Sequence, residues 1–303
     1  MRVIEYGIPS DKEAIQLRLG IARGFFRAEG LDLALKVIFG GPEIAAAYDS
    51  GALSVGELGS PPATTALSKG ARFRIVASSV RRRALQSFVA HPSITGWNDL
   101  RGRTGAALTI GSCSYWFMRE VLLRNGIDPD RELNVIGLGP RYPNVLELFE
   151  SGEVQAAVLS EPNISIGEDR GAFRVMQALT DPVYCPTMQW SVIVANLATI
   201  ESEPELVRAV LRGCVKSYRY AEAHSDELVD FAANYFGISR ATMEKSIRRD
   251  EPGQHTEGQV DLAGLRQAID LQVRLGAFSI PLRVEDIVDL RFLPAASLSA
   301  AAA

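Results

Sequence analysis

The sequence predicts an α/β protein organised around a bound ligand, and three observations lead there. First, Gly51-Ala-Leu-Ser-Val-Gly-Glu-Leu-Gly-Ser-Pro-Pro62 reads as a short apolar strand, a tight loop at Gly59-Ser60 and a helix opening on Pro61-Pro62. Proline suits the first helical turn, where its missing N–H has no intrahelical partner to lose. Ala71 to Ser79 is apolar again, which completes a β-loop-α-β unit. Second, Ile110-Gly-Ser-Cys-Ser-Tyr-Trp-Phe117 repeats the loop-to-helix junction, with Ser112 or Ser114 as N-cap. Third, strands and helices alternate up to about residue 195, and the chain is mostly helical from Glu203 onward. A loop that feeds a helix presents free backbone N–H groups and the positive end of the helix dipole, a site for a carboxylate, sulfonate or phosphate.

Each element has its own signal. Val3 to Ile8 is a first strand, followed by the polar loop Pro9-Ser10-Asp11-Lys12. Ile15, Leu19, Ala22, Phe25 and Phe26 recur at helical spacing and predict a helix from about Glu13 to Glu29, capped by Gly30. Leu31 to Phe39 is a second strand, and Gly40-Gly41-Pro42 turns into a helix from Glu43 to Asp49. Beyond the opening unit, Leu85 to Ala90 is extended, a helical turn near Asn98 leads into the strand Thr104 to Leu108, and the helix after Gly111 runs to about Asn125. Leu133 to Leu138 is a strand, Asn144 to Ser151 a helix, Val154 to Leu159 a strand ending at Ser160-Glu161-Pro162, and Val183 to Ala195 is extended. Helices are then predicted over Glu203–Ala223, Ser225–Phe236, Arg240–Arg248 and Asp261–Leu275. The small, unpatterned tail from Ala295 to Ala303 is expected to fray.

Composition narrows the function classes. At 303 residues, 47% hydrophobic and 22% charged, the chain has the material for two lobes or one large α/β domain. A net charge of −4 and the lack of a basic tract give no reason to expect nucleic acid. No apolar run is long enough to span a bilayer. Met1-Arg-Val-Ile-Glu-Tyr6 enters a strand directly, with Glu5 breaking any apolar region, so no signal peptide is read there. The chain is expected in the cytoplasm if Met1 is its natural start, and in the periplasm or at the membrane if a leader has been removed. Cys113, Cys185 and Cys214 lie far apart, as do His91, His224 and His255, so neither a disulfide framework nor a metal site is expected, and no cofactor is implied.

The order of parts carries a resemblance. Gly24-Phe-Phe-Arg-Ala-Glu-Gly-Leu-Asp-Leu33 precedes the Gly-Gly-Pro turn, the Gly-Ser-Pro-Pro helix start and an Ala77-Ser78 strand end. Trp97-Asn-Asp-Leu-Arg-Gly-Arg103, the second Gly-Ser helix start, Ser151-Gly-Glu-Val-Gln-Ala-Ala157 and Ser160-Glu161-Pro162 follow. In this order the chain resembles the type II periplasmic-binding-protein fold, in its nitrate/sulfonate/taurine and thiamine-precursor branch, over nearly its whole length. The resemblance implies two α/β lobes joined by two crossing strands, with ligand in the cleft between them. Carried over, one lobe comprises residues 1–88 and 192–303, with the C-terminal helices, and the other residues 89–191. Leu85–Ala90 and Gln189–Val194 are then the expected hinge strands. The implied activity is that of the solute-binding component of an ABC importer, with a membrane permease as partner and a small anionic or heteroaromatic solute as ligand.

By the same resemblance the ligand meets the strand-end loops. These bring Ser10, Asp11, Gly40 and Gly41, then Gly59 and Ser60, then Ser112, Cys113 and Ser114 of the second lobe, with Glu161, Gln189 and Trp190 near the hinge. Tyr115, Trp116 and Trp190 are placed to flank a ring or apolar body. Plainer readings stand beside these. Gly40-Gly41 serves as a turn, the serines as helix caps, and Trp116 as core. Arg81-Arg82-Arg83 reads as a solvated turn, while Glu57, odd in an apolar strand end, reads as a cleft residue or a partner for those arginines.

Enzymes on the same fold keep chemistry open as the alternative. They include the pyrimidine synthase of thiamine biosynthesis, an aryl-sulfinate desulfinase, and decarboxylases or dehydratases of aromatic acids. The desulfinase type uses a cysteine in the first strand-end loop, which here reads Ile8-Pro9-Ser10-Asp11. The synthase type carries lysine and histidine near the helix start that here spans Ser60 to Thr64, with neither. Its cysteine-rich motif is matched only by Cys185. Gly56-Glu57 does match a pair seen in the decarboxylases. If chemistry occurs, Cys113 at a helix N-terminus, Glu57 and His91 are the candidates, because the dipole favours a thiolate. A packed cysteine is the plainer reading of Cys113, and Cys214 in mid-helix reads as buried and inert.

Overall fold

The computed structural model describes residues 1–10, 14–184, 187–251, 257–280 and 282–293. Ten strands are described: β1 (Arg2–Ile8), β2 (Leu31–Val37), β3 (Val55–Gly59), β4 (Phe73–Arg81), β5 (Ser87–Ala90), β6 (Arg103–Ala107), β7 (Leu133–Gly137), β8 (Ala156–Leu159), β9 (Arg174–Ala178) and β10 (Gln189–Asn196). The helices are α1 (Ile15–Ala22), α2 (Gly41–Ser50), α3 (Ser60–Ser68), α4 (Cys113–Arg124), α5 (Val145–Glu150) and α6 (Asn163–Arg170). They continue with α7 (Leu197–Ser202), α8 (Pro204–Ala223), α9 (Ser225–Phe236), α10 (Arg240–Asp250), α11 (Leu262–Arg274) and α12 (Val284–Ile287).

The strands form two five-stranded sheets, ordered β2-β1-β3-β10-β4 and β7-β6-β8-β5-β9. In the first sheet, β1 runs parallel to β2 and β3, while β10 is antiparallel to β3 and β4. The second repeats the plan, with β6 parallel to β7 and β8, and β5 antiparallel to β8 and β9. The chain leaves the first sheet after β4 and enters the second on β5, then leaves after β9 and returns on β10. Each sheet's antiparallel strand is thus the one entered on crossing, so the carboxyl ends of the parallel strands and the amino ends of β5 and β10 meet at one cleft. In open α/β sheets that edge is where ligands gather.

Helices cover both faces of each sheet. Ile4, Tyr6, Ile8 and Ile193 pack under α8 through Val207, Val210 and Cys214, and the other face meets Tyr48, Leu67, Leu265 and Ile269. Phe88, Met118, Val121 and Val158 fill one side of the second sheet, Val89, Phe149 and Phe173 the other. Ala268 and Leu271 of α11 belong to the second sheet's core while Leu265 and Ile269 belong to the first, so this helix braces both.

Three differences from the sequence reading have physical causes. The first helix ends at Ala22, not Glu29, because Gly24 takes a left-handed conformation (φ 77°) that turns the chain before a short 3-10 segment at Arg27–Glu29. The expected hinge strands each lie inside one sheet, and the crossings are the irregular stretches after Arg81 and before Gln189. There Arg82 adopts φ 78°, strained for a side chain with a Cβ, and the Met188 N–H donates to its carbonyl at 3.1 Å, tying the crossings together. Helix α6 and strand β9 had no sequence signal. The expected extended start at Val183 is a turn, and Cys185, His255 and the Ala295–Ala303 tail lie outside the described residues.

Candidate functional site

Two adjoining chambers occupy the cleft, with volumes of about 40 and 100 Å³. Ser160, Trp190 and Ser191 line both. The Trp190 ring is held against Phe117 of α4, with centroids 5.7 Å apart, and forms the shared wall.

The first chamber is built on the β6–α4 junction. Leu108, Ser112, Cys113 and Ser114 line it from the second sheet, and Ser10, Gly41, Gly59 and Pro62 from the first. The α4 serines do not cap their own helix. Ser112 Oγ donates to the Thr109 carbonyl at 2.6 Å, and Ser114 Oγ accepts from the Leu108 N–H at 2.8 Å. They shape the loop and leave the first turn of α4 open to the chamber, with the positive dipole end behind it. Gln86, 7% exposed, adds a side-chain carbonyl Oε1 with no hydrogen-bond partner among the described residues, while its amide donates to Ser160 Oγ at 3.2 Å.

The facing β3–α3 junction looks alike in sequence and differs in chemistry. Pro61 and Pro62 stand in the first turn of α3 and remove two of its N–H groups. The Ser60 hydroxyl donates to the Gln189 carbonyl and is fully buried, so it ties α3 to β10. A Cβ on Gly59 would collide with Cys113 Sγ, so Gly59 permits the close approach of the two sheets' loops, while one on Gly41 would collide with the Pro62 ring, so Gly41 lets α2 and α3 pack closely on the first sheet's side.

Glu57 of β3 lies in the second chamber with Ser79, Glu161, Tyr218 and Asp250. It is 4% exposed, and burial raises its carboxyl to about 7, with the Ser79 hydroxyl and the Arg18 charge pulling the other way. Loss of solvent also pushes Asp250 well above the ordinary carboxylate range, reinforced by the nearby Glu161 charge and opposed by Arg249. Burial likewise drives the Tyr218 phenol and the Cys214 thiol upward, so both stay neutral.

Glu161 is engaged within the protein. Its carboxylate accepts from the Ser165 N–H and hydroxyl at 3.0 Å each, holding the start of α6, and pairs with Arg249 at 2.6 Å. Arg249 also meets Glu168 at 2.8 Å, and Lys245 bridges Glu168 and Asp169 at 2.9 and 3.0 Å. This network latches α10 to α6 across the mouth of the cleft. Gln189 is fully buried; its amide donates to Ser78 Oγ, the Val80 carbonyl and the Ser191 carbonyl at 2.8–2.9 Å, and its Oε1 accepts from the Asp261 N–H at 2.8 Å. It fixes the returning strand and has no group left for a ligand.

The structure therefore gathers Ser10, Gly41, Gly59, Ser112, Cys113, Ser114 and Trp190 at the first chamber, and Glu57, Glu161 and Trp190 at the second. Gly40 caps α2 beside them. Ser60 and Gln189 are structural ties behind the wall. Tyr115 lines neither chamber: its ring packs on Trp116 at 5.0 Å and under Arg119. His91 lines neither as well; it follows the far end of β5 and bonds to Ser93 Oγ at 2.8 Å, so no histidine lines the chamber of Cys113 among the described residues. Asp11 lies outside the described residues. Gln86, Ser79, Tyr218 and Asp250 were not anticipated. Tyr218 and Asp250 come from helices far down the chain with no local motif, though the break at Arg81–Leu85 between two apolar segments flags Gln86.

The family follows from the sequence as a whole. The model of the family described as NMT1/THI5 like matches residues 13–228. The chain belongs to that family. YtlA of Bacillus subtilis (strain 168), which bears the provisional name of a binding protein, is 21% identical over 207 residues, or 67% of this chain. The match spans only 61% of YtlA's own length. The alkanesulfonate-binding protein SsuA of Xanthomonas axonopodis pv. citri, solved bound to MOPS, superposes with a TM-score of 0.76 at 18% identity, covering 95% of this chain and 98% of SsuA. The desulfurization enzyme DSZB superposes with a TM-score of 0.67 at 17% identity, covering 99% of this chain and 100% of DSZB. At such identities the likeness is one of fold, and this NMT1/THI5-like chain has the type II periplasmic-binding-protein fold, as its two interrupted parallel sheets show.

Proposed function

We propose that this NMT1/THI5-like protein is the solute-binding component of an ABC-type importer and holds a small acid-bearing solute in the interlobe cleft for delivery to a membrane permease. The expected boundaries at 88/89 and 191/192 shift to the crossings: residues 1–81 and 189 onward then act as one lobe and 87–178 as the core of the other, closing about the stretches after Arg81 and before Gln189. The observation that carries this reading is the uncapped first turn of α4, opening into a chamber where the buried Gln86 Oε1, an acceptor, also has no hydrogen-bond partner among the described residues. Buried polar groups left unmatched cost stability, and a solute that satisfies both would recover it. SsuA, which binds alkanesulfonates on this fold, supports the same class of use.

Chemistry finds less support. Cys113 lines the chamber, but no histidine accompanies it there among the described residues. A thermal-shift panel of sulfonates, aromatic acids and pyrimidines is expected to return at least one acid that raises the melting temperature and is recovered unchanged after incubation. Silence across the panel, or conversion of the bound acid, would reject the binding reading.

A further inference from the structure

The second chamber holds acid without a matching base. Glu57, Glu161 and Asp250 line it, and no lysine, arginine or histidine does among the described residues. Glu161 is paired with Arg249, itself shared with Glu168. Glu57 and Asp250 take part in no ion pair among those residues; Arg18 acts on Glu57 only across a gap and lies over the Tyr235 ring. On the same wall the Ser79 hydroxyl, 2% exposed, stands beside Glu57 and Tyr218 without a well-formed hydrogen bond. Buried carboxylates and hydroxyls in proteins are normally matched. Among the described residues Glu57 meets only the Ser79 hydroxyl and the more distant Arg18 charge, and the carboxylate and hydroxyl both face a chamber.

The first chamber, which adjoins it along Trp190, has the opposite character. It offers an open helix start, and among the described residues no carboxylate, lysine or arginine lines it. A simple anion spanning both chambers would meet only dipoles at one end and like charge at the other. We infer that the solute is zwitterionic, with its acid group at the first turn of α4 and a protonated nitrogen, an amine or a cationic ring N–H, between Glu57, Asp250 and Ser79. This rests on the proposed function and narrows its ligand class.

Matched probes test the two separately. Calorimetric titration compares 2-aminoethanesulfonate with ethanesulfonate, and 4-(aminomethyl)benzoate with 4-methylbenzoate. In at least one pair the amine-bearing member is expected to bind about tenfold or more tightly, since hydrogen bonds between charged groups are worth that much. Glu57→Gln is expected to reduce the preference to within about twofold, with Asp250→Asn reducing it in part. Circular dichroism checks both folds, and Asp250→Asn stands in if Glu57→Gln misfolds. Amine-free members that bind as tightly as their partners overturn the inference and leave the binding reading intact. Silence from both pairs also overturns it, and a silent acid panel or conversion of the bound acid removes the proposed function with it.

Discussion

The β3–α3 and β6–α4 junctions face each other across the cleft, and each reads strand, Gly-Ser, helix. Their chemistry is opposite. The β6 side keeps its first-turn N–H groups because its serines bond to Thr109 and Leu108 instead of capping the helix. On the β3 side two prolines remove N–H groups from the first turn, the Ser60 hydroxyl turns away to Gln189, and a buried carboxylate stands two residues before Gly59. A helix start attracts an anion only when its donors are present and no neighbouring acid opposes them. By that standard the cleft is not a symmetric clamp on one anion. It has a donor end and an acceptor end.

The largest expected effect tests the acceptor end. Burial raises Glu57 from 4.5 to about 7, so the folded state disfavours its charged form. Below the unfolded value both states hold the proton and there is no penalty; above the folded value the native protein carries a buried carboxylate. Stability should therefore fall as pH rises from about 4.5 to about 7. Glu57→Gln removes the charge and should be more stable than the parent by about 3 kcal/mol at pH 8, with the gap closing near pH 4.5. Arg18 and Ser79 face the carboxyl and favour its charge, while Tyr6, Tyr48, Tyr218 and Cys214 around it stay neutral in this range. Urea unfolding at both pH values measures the difference. A gap that does not change with pH would mean that Glu57 is not the group responsible, and the two junctions would lose their electrostatic contrast.

The donor end is tested by making α4 resemble α3. Ser114→Pro deletes a first-turn N–H and is expected to weaken binding of the best acid in the panel by about 10- to 100-fold, the worth of a hydrogen bond to a charged group. Ser114→Ala removes only the hydroxyl that accepts from Leu108 and should cost less than about threefold in affinity. Titration calorimetry on both variants separates backbone from side chain. Equal losses would place recognition in the hydroxyl.

Both junctions were visible in the sequence, and so were most of the strands, because glycine, serine and proline punctuate strand ends by local rules that survive folding, whereas the order of the strands in the two sheets was not. What each junction does was not visible. Whether Ser60 or Ser112 caps its helix depends on the carbonyl that lies nearest, and for Ser60 that carbonyl belongs to residue 189. Gln189 was placed near the hinge, but its four partners come from three separate stretches of chain. The second chamber was harder still. Glu57 stood out as a carboxyl in an apolar strand, whereas Tyr218 and Asp250 reach it from helices whose faces look like any amphipathic surface. Helix α6 escaped notice because Ser165 and Gly167 lower its propensity, and its start is held by Glu161 and Arg249.

The smallest effect is also the cleanest check on the contrast. Pro61→Ala returns one N–H to the first turn of α3 without touching a hydrogen bond, since proline had none to give. If α3 contributes nothing to the acid group, affinity should stay within about twofold of the parent. Stability should drop by about 1 kcal/mol, because the unfolded chain gains freedom and a buried ring is lost. A tenfold gain in affinity would say otherwise: the prolines would be holding back a second anion site, and Glu57 would be too far from it to oppose binding. An unchanged affinity leaves α4 as the donor end and makes the prolines what their burial indicates, a rigid start that seats α3 against Gly41 of α2.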